Sequence, residues 1–154
     1  SRGLGDVYKR QDDLPALMSY QTYADSESMY NTPPTFAWYL SGKVFSWLKR
    51  NGGLKSIEEI NLRKAKKLYH YIDKSDFYYN DVSIESRSIM NVPFLLNDDS
   101  LNDSFLKNSE KEGLLNLAGH RSVGGMRASI YNAVPEEAID ALVSFMDVFA
   151  NKYG

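Results

Sequence analysis

Residues 119–132 read GHRSVGGMRASIYN and gather most of what could do chemistry in this chain. His120, Arg121 and Arg127 stand there beside Gly119, Gly124 and Gly125. An arginine presents a planar fork of N–H donors that matches a carboxylate or phosphate. Glycines let the backbone turn tightly and come close to a bound group. A β-like apolar run over residues 128–131 follows at once, so the pattern predicts an anion-binding turn hung on the start of a strand. An ordinary solvated turn would use the same residue types, and a lone histidine is often structural.

Other chemistries find little support. Ser122 lies close to His120, but serine is too common for that neighbourhood to define a hydrolase triad. Gly124-Gly125 lacks the lysine and spacing of a phosphate-binding P-loop. The absence of cysteine excludes disulfides and thiolate metal sites. With His70 and His120 the only histidines, a multi-histidine metal centre is not expected, and no metal is assigned. A net charge of −2 argues against a general nucleic-acid surface. No apolar run approaches the ~20 residues of a spanning helix, so no membrane partner is expected and a cytoplasmic, reduced setting is the default. Most of the eleven tyrosines are expected to be half-buried rings with a wet hydroxyl. Arg87 reads as a surface charge at a strand end.

The elements that must position these residues follow from periodicity and punctuation. At 154 residues the chain can build one sizeable core. Residues 1–11 show no periodicity and read as an adventitious leader, and residues 12–30 read as irregular. Pro33 and Pro34 belong in the first turn of a helix, with Asn31 and Thr32 as capping groups. The helix over residues 35–50 is apolar nearly all round (Phe36, Tyr39, Leu40, Val44, Phe45, Trp47, Leu48). That pattern predicts burial on two sides or at a subunit interface. Asn51-Gly52-Gly53 stops it. A second helix is expected over residues 54–74, with Ser56 and Glu59 at capping-box spacing. Ile57, Ile60, Lys64, Leu68 and Ile72 keep the 3.6 period, and Arg63, Lys66 and Lys67 form a solvated outer face.

Short strands are expected at 77–79 and 88–96, the latter with Pro93 at an edge or bulge. A helix over 98–111 with an aspartate cap is stopped by Gly113. Further strands are expected at 114–117 and 128–131. A last helix starts with Pro135 at its first position and buries Ala138, Leu142, Phe145, Met146 and Phe149. The order describes an α+β fold: a small, mostly antiparallel sheet covered by helices.

Several stretches are long enough to carry a family resemblance. Met29 to Gly42 (MYNTPPTFAWYLSG), Arg87-Ser88 with MNVPF from Met90, and above all GHRSVGGMRASIYNA from Gly119 resemble phosphoserine aminotransferase. The resemblance runs from about Leu14 to Gly154 and leaves residues 1–11 out. It implies a homodimeric enzyme of the aspartate-aminotransferase-like fold that depends on pyridoxal 5'-phosphate. Such an enzyme moves an amino group between glutamate and 3-phosphohydroxypyruvate in serine biosynthesis. Bacterial members also act on phosphohydroxythreonine in vitamin B6 synthesis.

By the same resemblance, residues 12–53 are the end of the large domain with its dimer-facing helix, and 54–154 are the small C-terminal domain. Asn31 and Thr32 match the pair that holds the cofactor phosphate across the dimer interface. Arg127 matches the arginine that fixes the substrate α-carboxylate. His120 and Arg121 match residues lining the pocket for the substrate's phosphate or distal carboxylate. The lysine that forms the Schiff base lies upstream of the matched region, so this chain holds no catalytic residue of its own and is expected to be silent alone. A non-catalytic organic-anion-binding or assembly domain is the alternative.

Overall fold

The structure is a computed structural model that describes residues 15–154. The leader expected over residues 1–11 lies outside them. The chain divides between Trp47 and Leu48 into two units, Ser1–Trp47 and Leu48–Gly154.

The first unit carries a 3-10 turn, Ala16–Met18, and two helices, α1 (Tyr20–Asp25) and α2 (Thr35–Arg50), the second running past the division. The stretch expected to be irregular thus holds a short helix. Local ties hold it: the Tyr23 hydroxyl donates to the Leu17 carbonyl at 3.1 Å and the Gln21 amide to Asp25 at 2.6 Å. The prolines stand just before α2 rather than inside its first turn. A residue preceding proline is driven to extended backbone, so Thr32 and Pro33 cannot be helical and Pro34 is the earliest start. The Trp38 N–H accordingly donates to the Pro34 carbonyl at 3.1 Å. This leaves Asn31 and Thr32 too far upstream to cap α2. No residue of α2 is buried, and Phe36 is 72% exposed.

In the second unit, α3 (Gly53–Lys74) follows a turn at Asn51 and Gly52. Because α3 starts at Gly53, Ser56 falls inside its first turns and the expected capping box does not form. Its inner stripe is Ile57, Asn61, Lys64, Ala65, Leu68, Tyr69 and Ile72, with Ile60 only half-buried. Three strands, β1 (Tyr78–Tyr79), β2 (Asn91–Leu96) and β3 (Met126–Ser129), form an antiparallel sheet in that order. Between β2 and β3 come a 3-10 turn, Asp99–Leu101, and α4 (Asn102–Lys111); α5 (Glu136–Tyr153) closes the chain. The Asp98 carboxylate caps that turn by accepting from the Ser100 N–H at 2.9 Å.

The α+β fold is as expected, with several local differences. Residues 114–117 form no strand; Asn116 takes a left-handed φ of 60° and leaves only a bridge from Ala118 to Met126. β3 begins two residues earlier than the apolar run, because the turn at Gly124 and Gly125 delivers the chain straight to Met126. Pro135 caps α5 from outside it, Ile139 replaces Ala138 in the buried stripe, and Phe145 is only half-buried. The basic face of α3 is not merely solvated: Arg63 pairs with Glu136 at 2.7 Å, and Lys67 pairs with Asp140.

Apolar side chains from the inner sheet face (Tyr78, Val92, Phe94, Leu96, Met126, Ala128) meet α3, α4 and α5 in one core. Phe105 is its hub, with ring centroids 5.8 Å from Phe94 and 5.1 Å from both Phe145 and Phe149, all near edge-to-face. Tyr78 departs from the wet-hydroxyl expectation: it is buried and donates to the Met146 carbonyl at 2.9 Å.

Candidate anion-binding site

Arg127 sits in β3, opposite Pro93 of β2. β2 is the central strand, but β1 pairs only with its Leu95 and Leu96, so at Pro93 the side facing away from β3 is a local edge, as expected. The sheet tolerates it because the Arg127 N–H turns away from β2 and donates to the Leu117 carbonyl at 2.7 Å. The pair is therefore a non-hydrogen-bonded one, in which no N–H is needed from residue 93. On the other side of Pro93, where β1 has ended, the Asn80 amide donates to its carbonyl. β3 is thus held along both sides around Arg127.

Alternation along β3 buries Met126 and Ala128 and sends Arg127 and Ser129 to the outer face. There the Ser129 and Tyr131 hydroxyls donate to the Asn91 side-chain oxygen at 3.3 and 3.2 Å. The Arg127 guanidinium has no hydrogen bond or ion pair among the described residues, and its Nε is buried. A buried N–H without a partner costs roughly 1–3 kcal/mol. An arginine held this way by its backbone is poised for an external acceptor, and a planar carboxylate matches its fork.

His120 and Arg121 lie on the turn that precedes β3. The His120 carbonyl accepts from the N–H groups of Val123 and Gly124 at 2.9 and 2.8 Å. The neck of the turn is closed by the Gly119 N–H, which donates to the Gly125 carbonyl at 2.9 Å. A Cβ at residue 119 would collide with the Gly124 carbonyl, so the neck closes only around glycine. His120 and Arg121 are exposed at the tip. The His120 ring touches Ser122, with Nδ1 2.7 Å from its hydroxyl and 3.2 Å from its backbone nitrogen.

Arg87 is not a loose surface charge. It makes two bonds to the Asp73 carboxylate, at 2.7 and 2.8 Å, and lies 4.6 Å from the centre of the Tyr69 ring. Lys64 is a residue whose role sequence reasoning missed. Buried to 1% exposure, its ammonium donates to the carbonyls of Ile130, Tyr131 and Val134 at 3.2, 2.8 and 2.9 Å. Burial pushes its pKa down, partly opposed by Glu136. Beside it the Asn61 amide donates to the Asn132 side chain at 2.8 Å. α3 therefore grips the segment that leaves β3. The only advance signal was a lysine on the apolar stripe of a helix.

Asn31 and Thr32 lie in the first unit, exposed, in the stretch that leads into α2. Neither side chain has a hydrogen-bond partner among the described residues. No group of three or more His, Cys, Asp or Glu among the described residues is placed to hold a metal ion, and no described helix is long and apolar enough to cross a membrane.

The Aminotransferase class-V family model matches residues 12–142 of this chain. The chain belongs to the class-V aminotransferase family. Within it, the chain is 59% identical over 141 residues to the phosphoserine aminotransferase of Hahella chejuensis, covering 92% of this chain and 39% of that protein. It is 58% identical over 144 residues to the Acinetobacter baylyi phosphoserine aminotransferase, covering 94% and 40%.

Among solved structures, the Bacillus circulans subsp. alkalophilus phosphoserine aminotransferase superposes with a TM-score of 0.85 at 47% identity, over 92% of this chain and 39% of that one. A pyridoxal-phosphate-bound phosphoserine aminotransferase from Trichomonas vaginalis gives 0.79 at 42% identity, over 88% and 39%. This class-V aminotransferase chain thus spans about 39% to 40% of the length of the relatives it matches. Its α+β fold is that of the matching part of those structures.

Proposed function

We propose that this chain is the C-terminal portion of a phosphoserine aminotransferase, a pyridoxal-phosphate enzyme that transfers an amino group between glutamate and 3-phosphohydroxypyruvate. In this reading residues 12–53 end the large domain and its dimer-facing segment, and residues 54–154 are the small domain. The whole protein is a cytoplasmic homodimer of serine biosynthesis, and the phosphohydroxythreonine reaction of vitamin B6 synthesis is a second activity of the same site. A free-standing anion-binding or assembly module is not favoured, since the relatives matched at this identity are aminotransferases.

The observation that carries the reading is the Arg127 guanidinium, held by a doubly flanked strand and left without a partner. It binds the α-carboxylate common to glutamate and phosphoserine. His120 and Arg121, on the turn before it, receive the second anion, a phosphate in one substrate and a carboxylate in the other. One set of donors serves both because each substrate carries two anions.

The residues present also fit the cofactor. The unpartnered Asn31 amide and Thr32 hydroxyl stand before a helix start, where donors favour a phosphate. They would hold that phosphate from the neighbouring subunit. Pyridoxal phosphate, when bound, supplies the electron sink that makes amino-group transfer feasible. The residues of this chain bind and orient. None of its lysines stands in the family's cofactor-lysine motif, so the 154-residue polypeptide by itself is expected to show no transamination.

The test uses the full-length enzyme. Arg127→Ala raises KM for glutamate and for phosphoserine alike, and Arg127→Lys recovers only part of the loss because an ammonium cannot reproduce the fork. Steady-state kinetics with both substrates unchanged in Arg127→Ala would overturn the assignment.

A further inference from the structure

The contact between His120 and Ser122 fixes more than ring position. A backbone N–H can only donate, and the Ser122 N–H points to His120 Nδ1 at 3.2 Å. Nδ1 is then the acceptor, with its lone pair in the ring plane and no proton of its own. The Ser122 hydroxyl lies 2.7 Å from the same nitrogen, where it can share that lone pair with the backbone N–H. In a neutral imidazole this leaves the proton on Nε2. The main chain of the turn is fixed independently, by the two N–H groups on the His120 carbonyl and by the Gly119–Gly125 neck. The ring is exposed, so nothing in the turn covers its outward edge.

We propose that Ser122 is a positioning residue that holds the His120 ring with Nδ1 turned inward and Nε2–H outward, so that the second anion of the substrate is met by this N–H beside the permanently charged Arg121. This rests on the assignment of His120 to that anion. Specificity for the shape of the second anion then resides in where Nε2–H points, and Ser122 sets that direction.

The test uses the full-length protein labelled with 15N-histidine, with the His120 signals assigned by their loss in His120→Asn. At pH 8, two-bond 15N–1H correlation spectra should show a pyridine-type Nδ1 and a pyrrole-type Nε2 in the wild type. Ser122→Thr should keep this pattern, and Ser122→Ala, which keeps the backbone N–H and loses the hydroxyl, should raise the share of the Nδ1–H tautomer without inverting it. In kinetics, Ser122→Ala should raise KM for phosphoserine roughly fivefold, the equivalent of one ordinary hydrogen bond, with a smaller change in kcat. Ser122→Thr should restore it.

A pyrrole-type Nδ1 in the wild type would overturn the proposal, as would a Ser122→Ala enzyme with unchanged KM. The two levels separate cleanly. If His120→Asn and Arg127→Ala alter substrate binding while the tautomer is the wrong one, only the role of Ser122 falls. If neither variant alters it, the aminotransferase site assignment falls and the tautomer result stands by itself.

Discussion

Lys64 shows how one side chain can set the geometry of a site it never touches. Its ammonium binds three carbonyls just beyond β3, and the Tyr131 carbonyl also accepts from the Val134 N–H. Lys64→Met keeps the volume and removes all three bonds, so it is expected to cost about 2–3 kcal/mol in urea denaturation. A second residue-scale consequence concerns alkaline pH. Burial, with Asp147 adding to it, pushes the Tyr71 phenol up to about 12 from the ordinary 10. Between those values the folded chain keeps a proton that the unfolded chain has lost. The stabilisation is complete below pH 10 and is lost as pH rises through 12. Tyr78 is shifted in the same direction by burial. The urea midpoint is therefore expected to fall as pH rises above 10, and Tyr71→Phe should make that fall shallower.

At the scale of elements, the turn from Gly119 to Gly125 is a closed unit whose neck admits no side chain at residue 119. In the full-length enzyme proposed above, Gly119→Ala should open it and raise KM for phosphoserine about tenfold or more, while the melting temperature changes little because the core lies elsewhere. A variant with native KM would show that the neck is dispensable. The helices were the most legible elements. The bounds of α2 and α3 follow from prolines, glycines and a sustained 3.6 period, signals that tertiary contacts rarely override. The strands were less so. The apolar run at residues 128–131 overlaps β3 but does not start it, because the start is set by where the glycine turn releases the chain. Leu114 to Leu117 is apolar enough for a strand, yet the left-handed Asn116 prevents it from laddering. For the site, residue type pointed to Arg127, but its freedom from partners depends on the register with Pro93. That register comes from pairing across more than thirty residues of chain, which no local pattern encodes.

At the scale of the whole molecule, α2 is apolar nearly all round and has no buried residue. Phe36, Tyr39 and Phe45 are 72%, 60% and 64% exposed. An apolar surface of this kind calls for a cover. The 154-residue polypeptide expressed alone is expected to self-associate, and sedimentation velocity should show species larger than a monomer. The double variant Phe36→Ser, Phe45→Ser should shift the distribution toward monomer. A monodisperse wild-type monomer would mean that the exposed face of α2 needs no partner.

The aromatic residues are also sorted by kind. Both tryptophans, Trp38 and Trp47, lie in α2 before the division at Leu48, whereas the core of the second unit is packed from phenylalanine and tyrosine rings. The two halves of the chain therefore carry separate optical labels. Indole emission reports on what happens around α2. Near-ultraviolet dichroism of the packed Tyr78, with the rings around Phe105, reports on the small sheet and its helices. The self-association expected of α2 and melting of the core can thus be watched as two signals in one cuvette, without adding a probe to either.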